Sequence, residues 1–136
     1  MSTIQRSFRI KEPLLQEIDR IRKNKPANAV ANELLEEALK MRRCPGIIFA
    51  EGVTGRRARI AGTGVEVWEV INEYQVGKDI EALKKALPHL AERQLIAALN
   101  YYQAYPEEIN EFIKNNEAIT PESVAGRFSL PRRKSR

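Results

Sequence analysis

From residue 7 the chain alternates polar Ser7 and Arg9 with apolar Phe8 and Ile10, the period of two that marks a β-strand. On a strand spanning residues 4–10, Gln5, Ser7 and Arg9 share one face while Phe8 and Ile10 share the other, because successive side chains point to opposite sides. Lys11-Glu12-Pro13 ends that strand, and Pro13 suits the first turn of a helix, where its missing N–H removes no hydrogen bond. Leu14, Leu15, Ile18 and Ile21 then recur at one-face helical spacing. The polar stretch Arg22-Lys23-Asn24-Lys25-Pro26 breaks this helix. A second helix is predicted over residues 27–42, with Val30, Ala31, Leu34, Leu35, Ala38 and Leu39 as its apolar stripe. A lone strand has no partner for its backbone groups, and a segment of about 40 residues is too short to bury a core of its own. Two copies that pair their strands into an antiparallel ribbon and interlock their helices meet both demands.

Beyond Cys44-Pro45-Gly46 the pattern changes. Residues 46–50 and 57–61 are apolar or mixed runs flanking the turn-rich Glu51-Gly52-Val53-Thr54-Gly55, the signature of a small hairpin. Gly62-Thr63-Gly64 is a second turn. Helices are predicted at 67–75, 79–87, 91–104 and 106–116. Asp79 is placed as an N-cap, Gly77 as the stop before it, and Pro106 in the first turn of the last helix. Trp68, Ile71, Ile80, Leu83, Leu87, Leu95, Ile96, Leu99, Tyr102, Ile109, Phe112 and Ile113 are the expected core. The fold class is therefore mainly α with short β. It divides into residues 1–44, residues 45–119, and a basic tail over residues 120–136.

Composition narrows the chemistry. The chain has 136 residues, 43% hydrophobic and 30% charged, a globular balance. No apolar run approaches the roughly 20 residues of a spanning helix, and the opening residues lack a signal-peptide core. A cytoplasmic protein with no membrane partner is expected. One cysteine, Cys44, and one histidine, His89, cannot form an intrachain disulfide or build a zinc site. Gly62-Thr63-Gly64 lacks the third glycine of a dinucleotide motif, and Gly52-Val53-Thr54-Gly55 lacks the Lys-Ser/Thr of a P-loop. Neither a catalytic constellation nor a cofactor or metal site is expected.

Charge is unevenly spread. Residues 1–44 carry ten Lys/Arg against six Asp/Glu, residues 45–119 eight against eleven, and residues 120–136 five against one. Two basic ends flank an acidic middle.

The stretch RSFRIKEPLLQEIDRI with the later NELLEEAL resembles the ribbon-helix-helix family of prokaryotic DNA-binding proteins. That resemblance covers about residues 3–42 and implies a homodimer, or a higher even oligomer, on a palindromic operator. Its ribbon lies in the major groove, which makes Gln5, Ser7 and Arg9 the implied base readers. Their chemistry fits: Arg bonds twice to guanine, Gln twice to adenine, and Ser to several base edges. The family also holds a phosphate at the start of its second helix, here near Ala27 and Asn28.

Arg59-Ile60-Ala61-Gly62-Thr63-Gly64-Val65, then Asp79-Ile80-Glu81-Ala82-Leu83, Leu87-Pro88-His89-Leu90 and residues 94–102, are similar to a second family. This is the antitoxin family catalogued as domain of unknown function four-three-three, a small winged-helix-like or helix-turn-helix-like domain with a β-hairpin. The resemblance covers about residues 45–113. The sequence departs from it at Gly64, where the family shows a basic residue, and at Ala61. It implies an antitoxin of the VapB kind, with a PIN-like ribonuclease toxin as cognate partner.

Three readings of the tail stand side by side: a solubilising terminus, a nucleic-acid arm, or a toxin-binding segment built on Arg127, Phe128, Leu130, Arg132 and Arg133. The expected whole is a non-enzymatic, dimeric antitoxin and autorepressor. Its rivals are a stand-alone ribbon-helix-helix transcriptional regulator and an interaction protein that binds no nucleic acid. The middle domain, being acidic, is expected to leave DNA affinity to the basic ends.

Overall fold

A computed structural model of the chain describes residues 2–52 and 55–117. The chain forms two compact units, Met1–Arg42 and Arg43–Arg136. Among the described residues the regular structure is six helices and a two-stranded antiparallel hairpin, a mainly helical fold.

In the first unit, α1 (Glu12–Arg22) starts with Pro in its first turn, and α2 (Ala27–Arg43) follows after a short polar turn. The amide of Lys25 closes that turn on the Arg22 carbonyl at 2.8 Å. Arg22 Nε donates to Asp19 Oδ1 at 3.1 Å, and Arg20 pairs with Glu17, so the polar side of α1 is laced with exposed ion pairs. Residues 2–11 form no strand within the chain. A strand is a hydrogen-bonded pair, and the expected ribbon requires a second segment. The apolar stripe of α1 is largely uncovered: Leu14, Leu15 and Ile21 are exposed and Ile18 is half-buried, and α1 and α2 do not pack on one another. On α2, Val30 is buried and Ala31 half-buried, while Leu34, Leu35, Ala38 and Leu39 are exposed.

The second unit has its own core. Strands β1 (Ile47–Gly52) and β2 (Gly55–Ile60) pair in the register Ile47↔Ile60 through Gly52↔Gly55. The strands run further toward the tip than expected: Glu51, Gly52 and Arg56 belong to the ladder. Helices α3 (Val67–Gly77), α4 (Ile80–Ala86), α5 (Glu92–Ala104) and α6 (Pro106–Glu117) follow. Their starts are fixed locally. Asp79 Oδ1 accepts from the Ala82 amide at 2.8 Å, the expected N-cap. Gln94 Oε1 and Glu69 Oε1 reach back to the amides of Ala91 and Glu66, each at 2.8 Å.

The end of α3 differs from the expectation. Gly77 is the last helical residue, and the left-handed turn falls on Lys78, with φ of 58°. Glycine at 77 serves close approach instead, since a Cβ there would lie 2.7 Å from the Ala82 Cβ.

The core joins Ile47, Ala58 and Ile60 of the hairpin to Val67, Val70 and Ile71 of α3 and Leu83 of α4. Leu95, Ala97, Ala98 and Tyr101 of α5, Ile109 and Ile113 of α6, and Cys44 complete it. Trp68, Ile80, Leu87, Leu99, Tyr102 and Phe112 are half-buried around it. Ile96 departs from the expected core: it is 41% exposed, because α5 turns Leu95, Ala98 and Tyr101 inward. Consecutive residues on a helix sit about 100° apart, so Leu95 and Ile96 face different surroundings. Leu95→Ala should destabilise the second unit by about 2–5 kcal/mol, and Ile96→Ala by no more than about 1 kcal/mol. Denaturant unfolding of both variants checks this; equal losses would place the α5 core face wrongly.

Candidate nucleic-acid interface

The side chains of Gln5, Ser7 and Arg9 are all exposed in residues 2–11, which form no regular element. Their apolar neighbours are exposed as well, Ile4 at 89% and Phe8 at 78%. Among the described residues, the face carrying Phe8 and Ile10, expected to be buried, stays exposed. Ala27 and Asn28 occupy the first two positions of α2, exposed to solvent. The Pro26 carbonyl takes the amides of Ala29 and Val30 at 3.1 and 3.2 Å, and the Asn28 carbonyl takes the Asn32 amide side chain at 2.7 Å. Pro26 precedes the helix and has no side-chain acceptor to offer, so the first amides of α2 are not capped from that side. Arg127, Phe128, Leu130, Arg132 and Arg133 lie outside the described residues.

The hairpin of the second unit carries functional groups that the sequence reading passed over. Strand β2 holds Arg56, Arg57 and Arg59 within four positions. Arg56 Nη2 donates to the Phe49 carbonyl at 3.2 Å, and its Nη1 lies 3.8 Å from Glu51. The Arg57 guanidinium stacks 4.5 Å from the Phe112 ring centre and lies 3.4 Å from Glu66 Oε1. The same carboxylate oxygen accepts from Trp68 Nε1 at 2.6 Å. Arg57, Glu66, Trp68 and Phe112 thus form one half-buried cluster that ties the hairpin to α3 and α6. Arg59 is different. It pairs across the ladder with Ile48, its Nε is buried, and among the described residues it has no acceptor. The signal was legible as three arginines in the run Arg56-Arg57-Ala58-Arg59. It was hidden because the domain was judged by its net charge.

The other charged feature in this unit is structural. The Tyr101 hydroxyl, fully buried, donates to Glu108, with both carboxylate oxygens at 2.9 Å. Burial first, then the adjacent Glu108 charge, pushes the Tyr101 phenol far above its ordinary range. Burial likewise raises the Cys44 thiol, opposed by Arg43 and reinforced by Glu108. A buried, protonated thiol is a poor nucleophile. Among the described residues no group of three His, Cys, Asp or Glu side chains gathers to hold a metal. No described helix is long and apolar enough to cross a membrane.

Residues 47–102 match the model of a family described as protein of unknown function, DUF433. A solved structure, a DUF433 member protein from Anabaena variabilis, is similar at 25% identity and a TM-score of 0.45. The similarity covers 77% of this chain and 99% of that one. No curated protein gives a significant match.

The Tyr101 pair sets a pH dependence. The folded chain keeps the phenol proton, while the unfolded chain loses it near pH 10. The stability contributed by Tyr101 is complete below that value and is lost as pH rises above it. Melting temperatures measured from about pH 8 to about pH 11 should decline. Tyr101→Phe should flatten the decline and remove about 1.5–3 kcal/mol at neutral pH through the lost charge-assisted hydrogen bond. An unchanged slope in the variant would assign the decline to other groups.

Proposed function

We propose that this protein is a dimeric, DNA-binding autorepressor of the antitoxin type. In this reading residues 4–10 of two copies pair into a ribbon that enters the major groove, with Gln5, Ser7 and Arg9 on base edges. Ala27 and Asn28 hold a backbone phosphate at the start of α2. The observation that carries the reading is the uncovered apolar surface of the first unit. Ile4, Phe8, Ile10, Leu14, Leu15, Ile21, Leu35 and Leu39 are all exposed in a single chain. Burying a side chain of this kind is worth about 1.5–3 kcal/mol, so such a set calls for a partner surface. A second copy brings the same set and also gives residues 4–10 a strand partner for their backbone hydrogen bonds. The polar face that alternates with Phe8 and Ile10 then remains outward for DNA.

The second unit supplies the antitoxin half of the reading. Its support is the resemblance of residues 45–113, read from their sequence motifs, to an antitoxin family; residues 47–102 match DUF433, a family of unknown function. In this proposal the unit, with the basic tail, restrains such a toxin in the cytoplasm.

Light scattering of the full chain at micromolar concentration should give a dimer without DNA. A folded monomer overturns the ribbon. Arg9→Ala should keep the dimer and cost about 1–3 kcal/mol on the specific site, relaxing the preference at one base. Phe8→Ala should instead dissociate the dimer, since it removes a large apolar group from the shared core. A loss with Arg9→Ala that is equal on every sequence would reduce Arg9 to a phosphate contact.

A further inference from the structure

Most polar side chains of α5 are committed inside the second unit. Glu92 Oε1 takes Lys84 Nζ at 3.0 Å, and Gln94 Oε1 takes the amide of Ala91 at 2.8 Å. The Tyr101 hydroxyl donates to Glu108, and the Tyr102 hydroxyl to Asn110 Oδ1 at 2.8 Å. Arg93, Asn100 and Gln103 are left. Their side chains are exposed and make no hydrogen bond or ion pair among the described residues. At about 100° per residue, these three and the exposed Ile96 fall within about 80° of arc, turned away from Ala98 and Tyr101 in the core. The uncommitted polar groups of α5 therefore share one stripe.

The make-up of this stripe selects its partner. A helix that docks on protein carries apolar anchors turn after turn, whereas here Ile96, at 41% exposure, stands alone among three polar residues. Arginine makes paired hydrogen bonds to guanine in the major groove, asparagine and glutamine make them to adenine, and an apolar group meets the thymine methyl. Arg93 and Asn100 are seven residues apart, about 10 Å along the axis, which spans about three base pairs. Local charge agrees. Lys84 bridges Glu81 and Glu92, and Asp79 caps α4, so the carboxylates between Lys78 and Arg93 are occupied. Lys85 and Arg93 make no ion pair among the described residues. Glu107 and Glu108 follow the other end of α5, which makes its amino-terminal half the end suited to approach an anionic backbone. The helix packs on both strands and on α3, α4 and α6, so the stripe is presented on a fixed element.

We propose that α5 is a second DNA-reading element, entering the major groove with Arg93, Ile96 and Asn100 on base edges and Gln103 at the end of the contact. The choice of ligand rests on the DNA-binding reading of the amino-terminal ribbon. The contact reverses the expectation that the acidic unit stays clear of DNA. The operator then carries base pairs read by α5 in addition to those read by the ribbon.

The test starts with selection from a pool of random duplexes by the full wild-type chain. On the selected site Arg93→Ala and Asn100→Ala should each weaken binding by about tenfold or more and relax the preference at one base pair. Those base pairs should differ from the one relaxed by Arg9→Ala, and affinity for random duplexes should change less. Both side chains are exposed and alanine is the better helix former, so the variants should melt with the wild type. Ile96→Glu is the independent check, since a carboxylate on the stripe should weaken binding to every duplex. If Arg9→Ala loses affinity while all three α5 variants bind as the wild type does, this inference is overturned and the proposed function stands. The reverse pattern supports α5 and overturns the ribbon as the reading element. Losses with Arg93→Ala and Asn100→Ala that are equal on selected and random duplexes reduce α5 to a phosphate contact and overturn its base reading. A wild-type chain that enriches no sequence overturns both readings.

Discussion

Helix α5 is the constraint on which the second unit depends. It is the element that meets both strands as well as α3, α4 and α6, and it does so through Leu95, Ala97, Ala98 and Tyr101. Two of those four are alanines, and small side chains let neighbouring backbones come close. Gly46 shows how close: a Cβ at that position would lie 3.1 Å from the Ala97 Cβ, and its φ of 91° suits glycine. The turn into β1 can therefore start directly against the helix. At the far end of α5, Tyr101 fills the space between hairpin and α6, edge-on to Phe49 at 6.3 Å and bonded to Glu108.

The first unit obeys the opposite rule. Its helices have sound local signals, a first-turn proline on α1 and apolar residues at helical spacing on both, yet α1 buries nothing. Local propensity shapes a helix, but tertiary packing supplies most of its stability, and here one chain provides no surface to pack against. The same lack of a partner leaves residues 2–11 without a ladder. In the proposed reading these two deficits have one remedy. Twofold association closes the core, completes the ribbon and places two identical reading faces at a fixed spacing, as a palindromic site requires. Stability and DNA recognition are then the same event.

Electrostatics in the second unit is decided by local pairing. Glu66 spends one carboxylate oxygen on both Trp68 and Arg57, locking the hairpin to the helices. Arg59, two residues along the strand, points to the same face, and its buried Nε has no acceptor among the described residues. Residues 45–119 carry eight Lys/Arg against eleven Asp/Glu, yet their hairpin holds three arginines against one glutamate. The field at contact is set by groups within a Debye length of about 8 Å at physiological salt.

The sequence by itself determined the elements. The hairpin, the four helices after it, the Asp79 cap and the proline-led starts follow from period, turn chemistry and capping, all of which act within a few residues. It also exposed the deficiency of the amino-terminal segment, since too little apolar surface in too short a chain is a matter of counting. Tertiary structure decided what depends on neighbours distant in the chain. Ile96 is as apolar as Leu95, and only the rotation of α5 against the hairpin and α3 separates an exposed side chain from a buried one. The helix does end at Gly77, and only Ala82 packed against it shows why a side chain is excluded there. Arg57 and Arg59 are alike in sequence and stand on the same side of one strand; Phe112, 55 residues beyond Arg57, and the placement of Glu66 make one a structural tie and leave the other open. Such differences arise from which side chains the fold brings together, and pairings of that kind leave no local signal in the sequence.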